Sequence, residues 1–185
     1  MSPEVDALDT ISDMNHPILY LFIGYPGAGK TTIANIITQA TGATHLWADV
    51  ERHKLFPSPT HSEKESKELY NQLNSAAEYL LAEGKSVVFD TNFNFLSDRE
   101  KLRELAKKHN ASTYLIWVET SIEIAKQRAV HSQQTRNNYT TNMSEEQFDS
   151  IASKLEKPTN DETVIKIDGS NLDQQSLLDR LHISS

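Results

Sequence analysis

Residues 24–32 of this 185-residue chain read GYPGAGKTT, and residues 17–23 before them read PILYLFI. The spacing Gly24-x-x-x-x-Gly29-Lys30-Thr31 is that of a phosphate-binding loop. Gly24, Gly27 and Gly29 let the backbone turn its N–H groups, with those of Ala28, Lys30, Thr31 and Thr32, onto phosphate oxygens. The Lys30 ammonium is placed for the β- and γ-phosphates, and the Thr31 hydroxyl for Mg²⁺. A helix opening at this point adds the positive end of its dipole. The apolar run before the loop and the helical pattern after it, with Ile33, Ile36 and Ile37 on one face, supply the strand–loop–helix setting that the motif requires. No Asn-Lys-x-Asp segment is present to read guanine, so ATP with Mg²⁺ is the expected ligand.

Working outward, apolar runs alternate with helical stretches, the pattern of a parallel α/β sheet. The runs are residues 17–23, 44–48, 86–90, 112–118 and 163–168. The longest helix is expected over 63–83, where Leu69, Leu73, Ala76, Ala77, Leu80 and Leu81 recur at helical spacing before Gly84. Capping boxes are read at Ser97–Glu100, Thr120–Glu123 and Ser144–Gln147. Residues 133–142 are polar, rich in Asn and Thr, and have no apolar face. The pattern predicts one domain over 17–185, a loosely ordered tail over 1–16 and a lid at about 129–145.

Hydrophobic residues make up 37% of the chain and charged residues 24%, as in ordinary globular proteins. Cysteine is absent, which excludes disulfides and thiolate-bound zinc. No apolar run approaches the roughly 18 residues of a membrane span, and the acidic N-terminal stretch lacks the pattern of a signal peptide. A cytoplasmic protein without membrane partners is expected. The formal net charge of −8 disfavours long nucleic acid as a partner but is compatible with a nucleotide held by its own loop.

The loop alone does not say whether phosphate moves to water, to a second molecule or nowhere. Asp49 follows the second strand and Arg52 lies three residues further on. Carboxyl ends of parallel strands gather at the ligand crevice, so Asp49 is placed to accept the proton of an attacking hydroxyl, unless it only caps the segment that follows. Arg52 is placed to hold the acceptor or its phosphate. Asp90 ends the third strand, where an acid commonly serves Mg²⁺. Asn92 and Asn94 follow as acceptor contacts or loop supports. Arg99 is either a further contact or a surface ion pair. Arg128 and Arg136 flank the polar stretch and suit a lid that brings cations onto ATP and excludes water. His45, His53 and His61 lie on the acceptor side without metal-site spacing. Trp47 and Trp117 read as core residues, and Tyr25 as lining a pocket. Three readings stay open: transfer to a hydroxyl, simple hydrolysis, and a regulatory or toxin-type nucleotide-binding module with slow ATP turnover.

These residues carry a resemblance. Gly24-Tyr25-Pro26-Gly27-Ala28-Gly29-Lys30-Thr31, Asp49-x-x-Arg52, the strand ending Phe89-Asp90-Thr91-Asn92, the lid arginines and the stretch from Phe148 to Leu155-Glu156-Lys157-Pro158 together resemble small P-loop kinases. The group is related to the 5′-hydroxyl kinase domain of polynucleotide kinase and, more distantly, to zeta toxins and gluconate kinases. The resemblance runs from Ile18 to Gly169. It implies a three-layer P-loop NTPase fold, with a five-stranded parallel sheet, helices on both faces and a short lid. It further implies Asp49 as general base, Arg52 on the acceptor, and Arg128 and Arg136 on the ATP phosphates or adenine. Lids of this group often carry closely spaced arginines, whereas here Arg128 is followed by Ala129-Val130-His131 and then Gln133-Gln134. That sparser charge, with the acidic balance, disfavours a polynucleotide acceptor.

Overall fold

The computed structural model describes residues 16–131, 135–136, 139–140 and 143–183. Five strands form one parallel sheet: β1 (Ile18–Ile23), β2 (Thr44–Trp47), β3 (Val87–Asp90), β4 (Ser112–Glu119) and β7 (Val164–Asp168), in the order β2-β3-β1-β4-β7. β1 lies at the centre, with Leu21 beside Phe89 of β3 on one side and Leu115 of β4 on the other. A strand buried on both faces needs apolar residues at every position, which is why PILYLFI shows no alternation. Its pleat nevertheless sorts the side chains. Leu19, Leu21 and Ile23 pack with α3 (Glu63–Ala82) and α4 (Leu96–Lys108), whereas Tyr20 and Phe22 pack with α1 (Lys30–Thr41) and α7 (Gln174–Arg180). The two cores are the two outer interfaces of a three-layer α/β sandwich, as expected. Each fully buried leucine or isoleucine there contributes about 1.5–3 kcal/mol.

The helix ends show where local signals ruled and where distant ones did. α1 closes on Gly42 in the left-handed region, with φ 70° and its N–H bonded to Thr38 O. α3 opens on Ser62, whose side chain accepts from Glu65 N. The box at Ser144–Gln147 forms in full at the start of α6 (Glu145–Ala152). The other two boxes are corrected. α5 (Ile122–Lys126) is capped by Ser121 rather than Thr120. α4 begins at Leu96 with Phe95 as its uncapped flanking residue. There the Leu96 N–H donates to Glu156 Oε2, 60 residues away, at 2.6 Å, so a distant carboxylate does what Ser97 was expected to do.

α5 runs into one wider turn, Gln127–His131, with π-helical bonding, a feature often found at functional sites. The polar stretch contains a two-residue antiparallel ladder between β5 (Thr135–Arg136) and β6 (Tyr139–Thr140). The root of this region is apolar. Phe148 of α6 is fully buried with Ala125 and Ala129, and Tyr25 of the phosphate loop packs on the same cluster. Among the described residues no helix is long and apolar enough to cross a membrane.

Candidate active site

Along the carboxyl ends of β1, β2 and β3 lies a cleft of about 270 Å³. The phosphate loop forms its floor. Gly27 has φ 77°, and a Cβ there would run into the carbonyl of Ala125 and approach the N–H of Ala129, so the loop presses against the end of α5 and the wider turn after it, where only glycine fits. Behind the loop, the Thr120 hydroxyl donates to Ala28 O at 3.0 Å. Gly169, just past β7, approaches Ala28 O and the Thr120 hydroxyl so closely that a side chain would overlap both. Arg128 Nη1 donates to Gly169 O at 2.8 Å while its side chain lines the cleft. Arg128 is therefore tied through Gly169 to the back of the loop. Neither Thr120 nor Gly169 was marked as a site residue from sequence, because a hydroxyl and a glycine outside a motif carry no local signal.

Lys30 Nζ donates to Gly24 O at 3.0 Å and Tyr25 O at 2.6 Å. Only 8% of the residue is exposed, so the ammonium is held against the loop by carbonyl dipoles. Thr31 Oγ1 sits 3.4 Å from Asp90 Oδ1, and Asp90 Oδ2 meets His45 Nε2 at 3.2 Å. A hydroxyl and a buried carboxylate converging beside a phosphate loop are a fitting donor set for Mg²⁺. This ion keeps water and substrate phosphates as most of its ligands and needs only one or two protein oxygens. The lack of any cluster of three or more metal-ligating side chains among the described residues is consistent with that use. His45 stacks on Trp47 at 5.4 Å between ring centres. Trp47 itself lines the cleft, so it is a wall residue and not core as its strand position suggested.

Opposite the loop, α2 (Ala48–Leu55) presents Asp49 and Arg52 to the same cleft, one helical turn apart and hence on one face. Asp49 lies in the first turn of α2, whose flanking residue is Trp47, so it is not the cap. Tyr70 of α3 closes the wall. Its hydroxyl pairs with Thr91 Oγ1 at 2.8 Å, and burial pushes its pKa up. His61 lines the cleft as well.

The other expected site residues divide. Asn92 lines the cleft. Asn94 is not among the lining residues. It is buried, and its backbone carbonyl accepts from Glu156 N at 2.8 Å. Thr32 is exposed on the third position of α1, away from the lining. Arg99 is neither a cleft contact nor a surface pair. It is fully buried, donates from Nε and Nη2 to the two carboxylate oxygens of Glu162 at 2.7 and 2.8 Å, and donates from Nη1 to Phe93 O at 3.0 Å. Arg136 contributes its backbone to β5, and its side chain lies outside the described residues.

Solved structures resembling this one include a candidate kinase from Chloroflexus aurantiacus J-10-fl, at 18% identity and TM-score 0.71, covering 90% of this chain and 97% of that one. Kti12 from Chaetomium thermophilum, in complex with ADP-AlF3, matches at 17% identity and TM-score 0.67, covering 91% and 100%. The APS kinase CysC of Mycobacterium tuberculosis, in complex with AMPPNP and APS, matches at 17% identity and TM-score 0.61, covering 90% and 98%. No curated protein matches the chain. At these identities the likeness establishes the P-loop NTPase-like fold. The AAA domain model AAA_33 matches residues 19–158, a span that runs from β1 through the phosphate loop and α2 past α6, and the chain belongs to that P-loop family.

Proposed function

We propose that this chain is an ATP- and Mg²⁺-dependent phosphotransferase that moves the γ-phosphate of ATP to a hydroxyl acceptor. The observation that carries the reading is that one cleft is lined both by a phosphate-binding half, Gly29, Lys30, Thr31 and Asp90, and by an acid with an arginine, Asp49 and Arg52. Simple nucleotide binding has no use for that second half. AMPPNP and ADP-AlF3 in two of the similar structures support ATP as donor.

In this reading the loop amides and Lys30 bind the β- and γ-phosphates, and Arg128 lies across the same cleft. Thr31 and Asp90 would hold Mg²⁺, which neutralises charge on the phosphate oxygens when bound. Asp49 takes the proton of the acceptor hydroxyl as its oxygen bonds to the γ-phosphorus. The bond to the bridging oxygen breaks, and ADP leaves. Fixed dipoles and cations stabilise the transferring group without reorganising. The acceptor is a small hydroxyl compound or a nucleoside-like molecule, and the net charge of −8 weighs against a long nucleic acid.

The test is ATP turnover measured alone and with a panel of hydroxyl acceptors, including 5′-hydroxyl DNA and RNA ends. One acceptor should accelerate ADP formation and carry the label. Asp49→Ala should leave ATP binding intact and lower transfer about 10²–10⁴-fold, the usual worth of a positioned base. Unchanged transfer would sink the base assignment, and turnover indifferent to every acceptor would favour hydrolysis.

A further inference from the structure

Asp90 is held at both of its carboxylate oxygens. Oδ1 stands 3.4 Å from Thr31 Oγ1, and Oδ2 meets His45 Nε2 at 3.2 Å. A carboxylate only accepts hydrogen bonds, so Nε2 carries the hydrogen and donates it. The register of the sheet explains the meeting. His45 of β2 lies beside Val88 of β3, and Trp47 beside Asp90. Side chains two apart on a strand share a face of the sheet, and Val88 packs in the core beneath α1. His45, Trp47 and Asp90 therefore stand on the α1 face, where the second residue of that helix is Thr31.

The imidazole is itself fixed. Trp47 stacks on it with ring centres 5.4 Å apart and planes 9° from parallel, an offset aromatic pair. Rotation of a ring about its last side-chain torsion is otherwise broad, and the stack removes that freedom. The His45 side chain is 15% exposed and that of Asp90 4%, so little water competes for the hydrogen bond between them. With Oδ2 taken by His45, the carboxylate cannot swing, and Oδ1 stays turned to the phosphate loop.

We infer that His45 is a positioning residue for the metal: it aims the Asp90 carboxylate so that Oδ1 faces the ion that Thr31 and Asp90 would hold. The inference rests on the Mg²⁺-dependent phosphotransferase reading and deepens it by adding a residue that acts through Asp90. Mg²⁺ demands near-ideal octahedral geometry and takes few protein oxygens, so the aim of each oxygen matters. Partners that orient a ligating group are worth about 10–100-fold in metal affinity. Holding the strands together does not account for the contact, because the backbones of β2 and β3 already pair along residues 44–47 and 87–90. What the hydrogen bond adds is the orientation of one carboxylate.

The probe is ADP, titrated calorimetrically into the full chain in EDTA and again in Mg²⁺, so that the ratio of the two affinities reads the metal alone. Mn²⁺, followed by electron paramagnetic resonance in the ADP complex, reads the metal site directly. His45→Phe keeps a ring to stack on Trp47 but has no donor. It should lower both the Mg²⁺-dependent tightening and the Mn²⁺ affinity about tenfold, with ADP affinity in EDTA as in the unmodified chain. His45→Gln restores an N–H donor and should recover most of that loss. Metal binding by His45→Phe equal to that of the unmodified chain overturns the positioning role, and so does a His45→Gln chain as weak as His45→Phe. An equal loss of ADP affinity in EDTA makes the residue structural and overturns the role as well. If the unmodified chain binds no ADP, or gains nothing from Mg²⁺, the phosphotransferase reading itself fails and takes this inference with it. That failure shows before any variant is made, so the two are distinguished.

Discussion

Two buried arginines divide this molecule. Arg99, on α4, has a hydrogen bond on every guanidinium nitrogen: both oxygens of Glu162 and the carbonyl of Phe93 accept from it. Arg52, on α2, is almost as deeply buried and keeps Nη1 without a hydrogen bond. Arg99 locks α4 to the segment before β7, and Glu156 caps the same helix from the same side of the chain. Arg52 stands over a cleft with a carboxylate near it but occupied elsewhere. Burial alone does not distinguish the two arginines; completeness of the hydrogen-bond set does. Arg99 ties two segments of the fold together, whereas Arg52 lines the cleft with Nη1 short of a hydrogen bond.

The largest effect should come from breaking the complete set. Arg99→Met leaves Glu162 buried without its bidentate partner and should cost about 3–5 kcal/mol in denaturant unfolding. Arg99→Met with Glu162→Leu removes both charges and should recover much of that loss. A single substitution that costs under about 1 kcal/mol would place the rigidity of this region elsewhere.

Next in size is the response to acid. Hydrogen bonding by Arg99 holds the Glu162 carboxyl below its ordinary value of 4.5, against the opposing effect of burial. A lowered folded-state pKa means that the carboxylate contributes its full stability above that ordinary value. The contribution is lost as pH falls through it towards the folded-state value. Thermal melting from pH 7 down to 3 should show this loss, and Glu162→Gln should remove that part of the slope.

The smallest stability effect belongs to Arg52. Arg52→Met removes an incompletely bonded guanidinium and should change unfolding free energy by less than about 1 kcal/mol in either direction, because functional groups are often held at some cost to the fold. The same substitution should abolish acceleration by the acceptor in the transfer assay. Loss of stability comparable to that of Arg99→Met would erase the distinction between the two arginines.

Much of the fold was legible because its signals are local. The phosphate loop is a contiguous pattern of glycines whose backbone conformations are needed within a few residues. The uninterrupted apolar strands announce burial on both faces. At the site, Lys30, Thr31, Asp49, Arg52, Asp90, Asn92 and Arg128 all line or adjoin one cleft, because motif residues at strand ends are gathered by any parallel sheet. What was not legible depends on partners far along the chain. Arg99 meets Glu162 at a separation of 63 residues, and Leu96 meets Glu156 at 60. Nothing near Ser97 shows that a carboxylate will arrive to move the helix start by a turn position. Trp47 reads as core because its strand is apolar, yet it is the last residue of an edge strand, where the sheet opens into the cleft.

By itself, then, the sequence determined the phosphate loop, the parallel α/β architecture and the residues brought to the carboxyl edge of the sheet, because each follows from spacing within one element. Only the tertiary structure decided which buried arginine is bonded into the fold and which lines the cleft. It likewise decided that Gly169 and Thr120 back the loop and that His61 lines the cleft. Those outcomes turn on whether a distant group comes within hydrogen-bonding distance, and distance between remote segments is set by how the whole sheet and its helices pack.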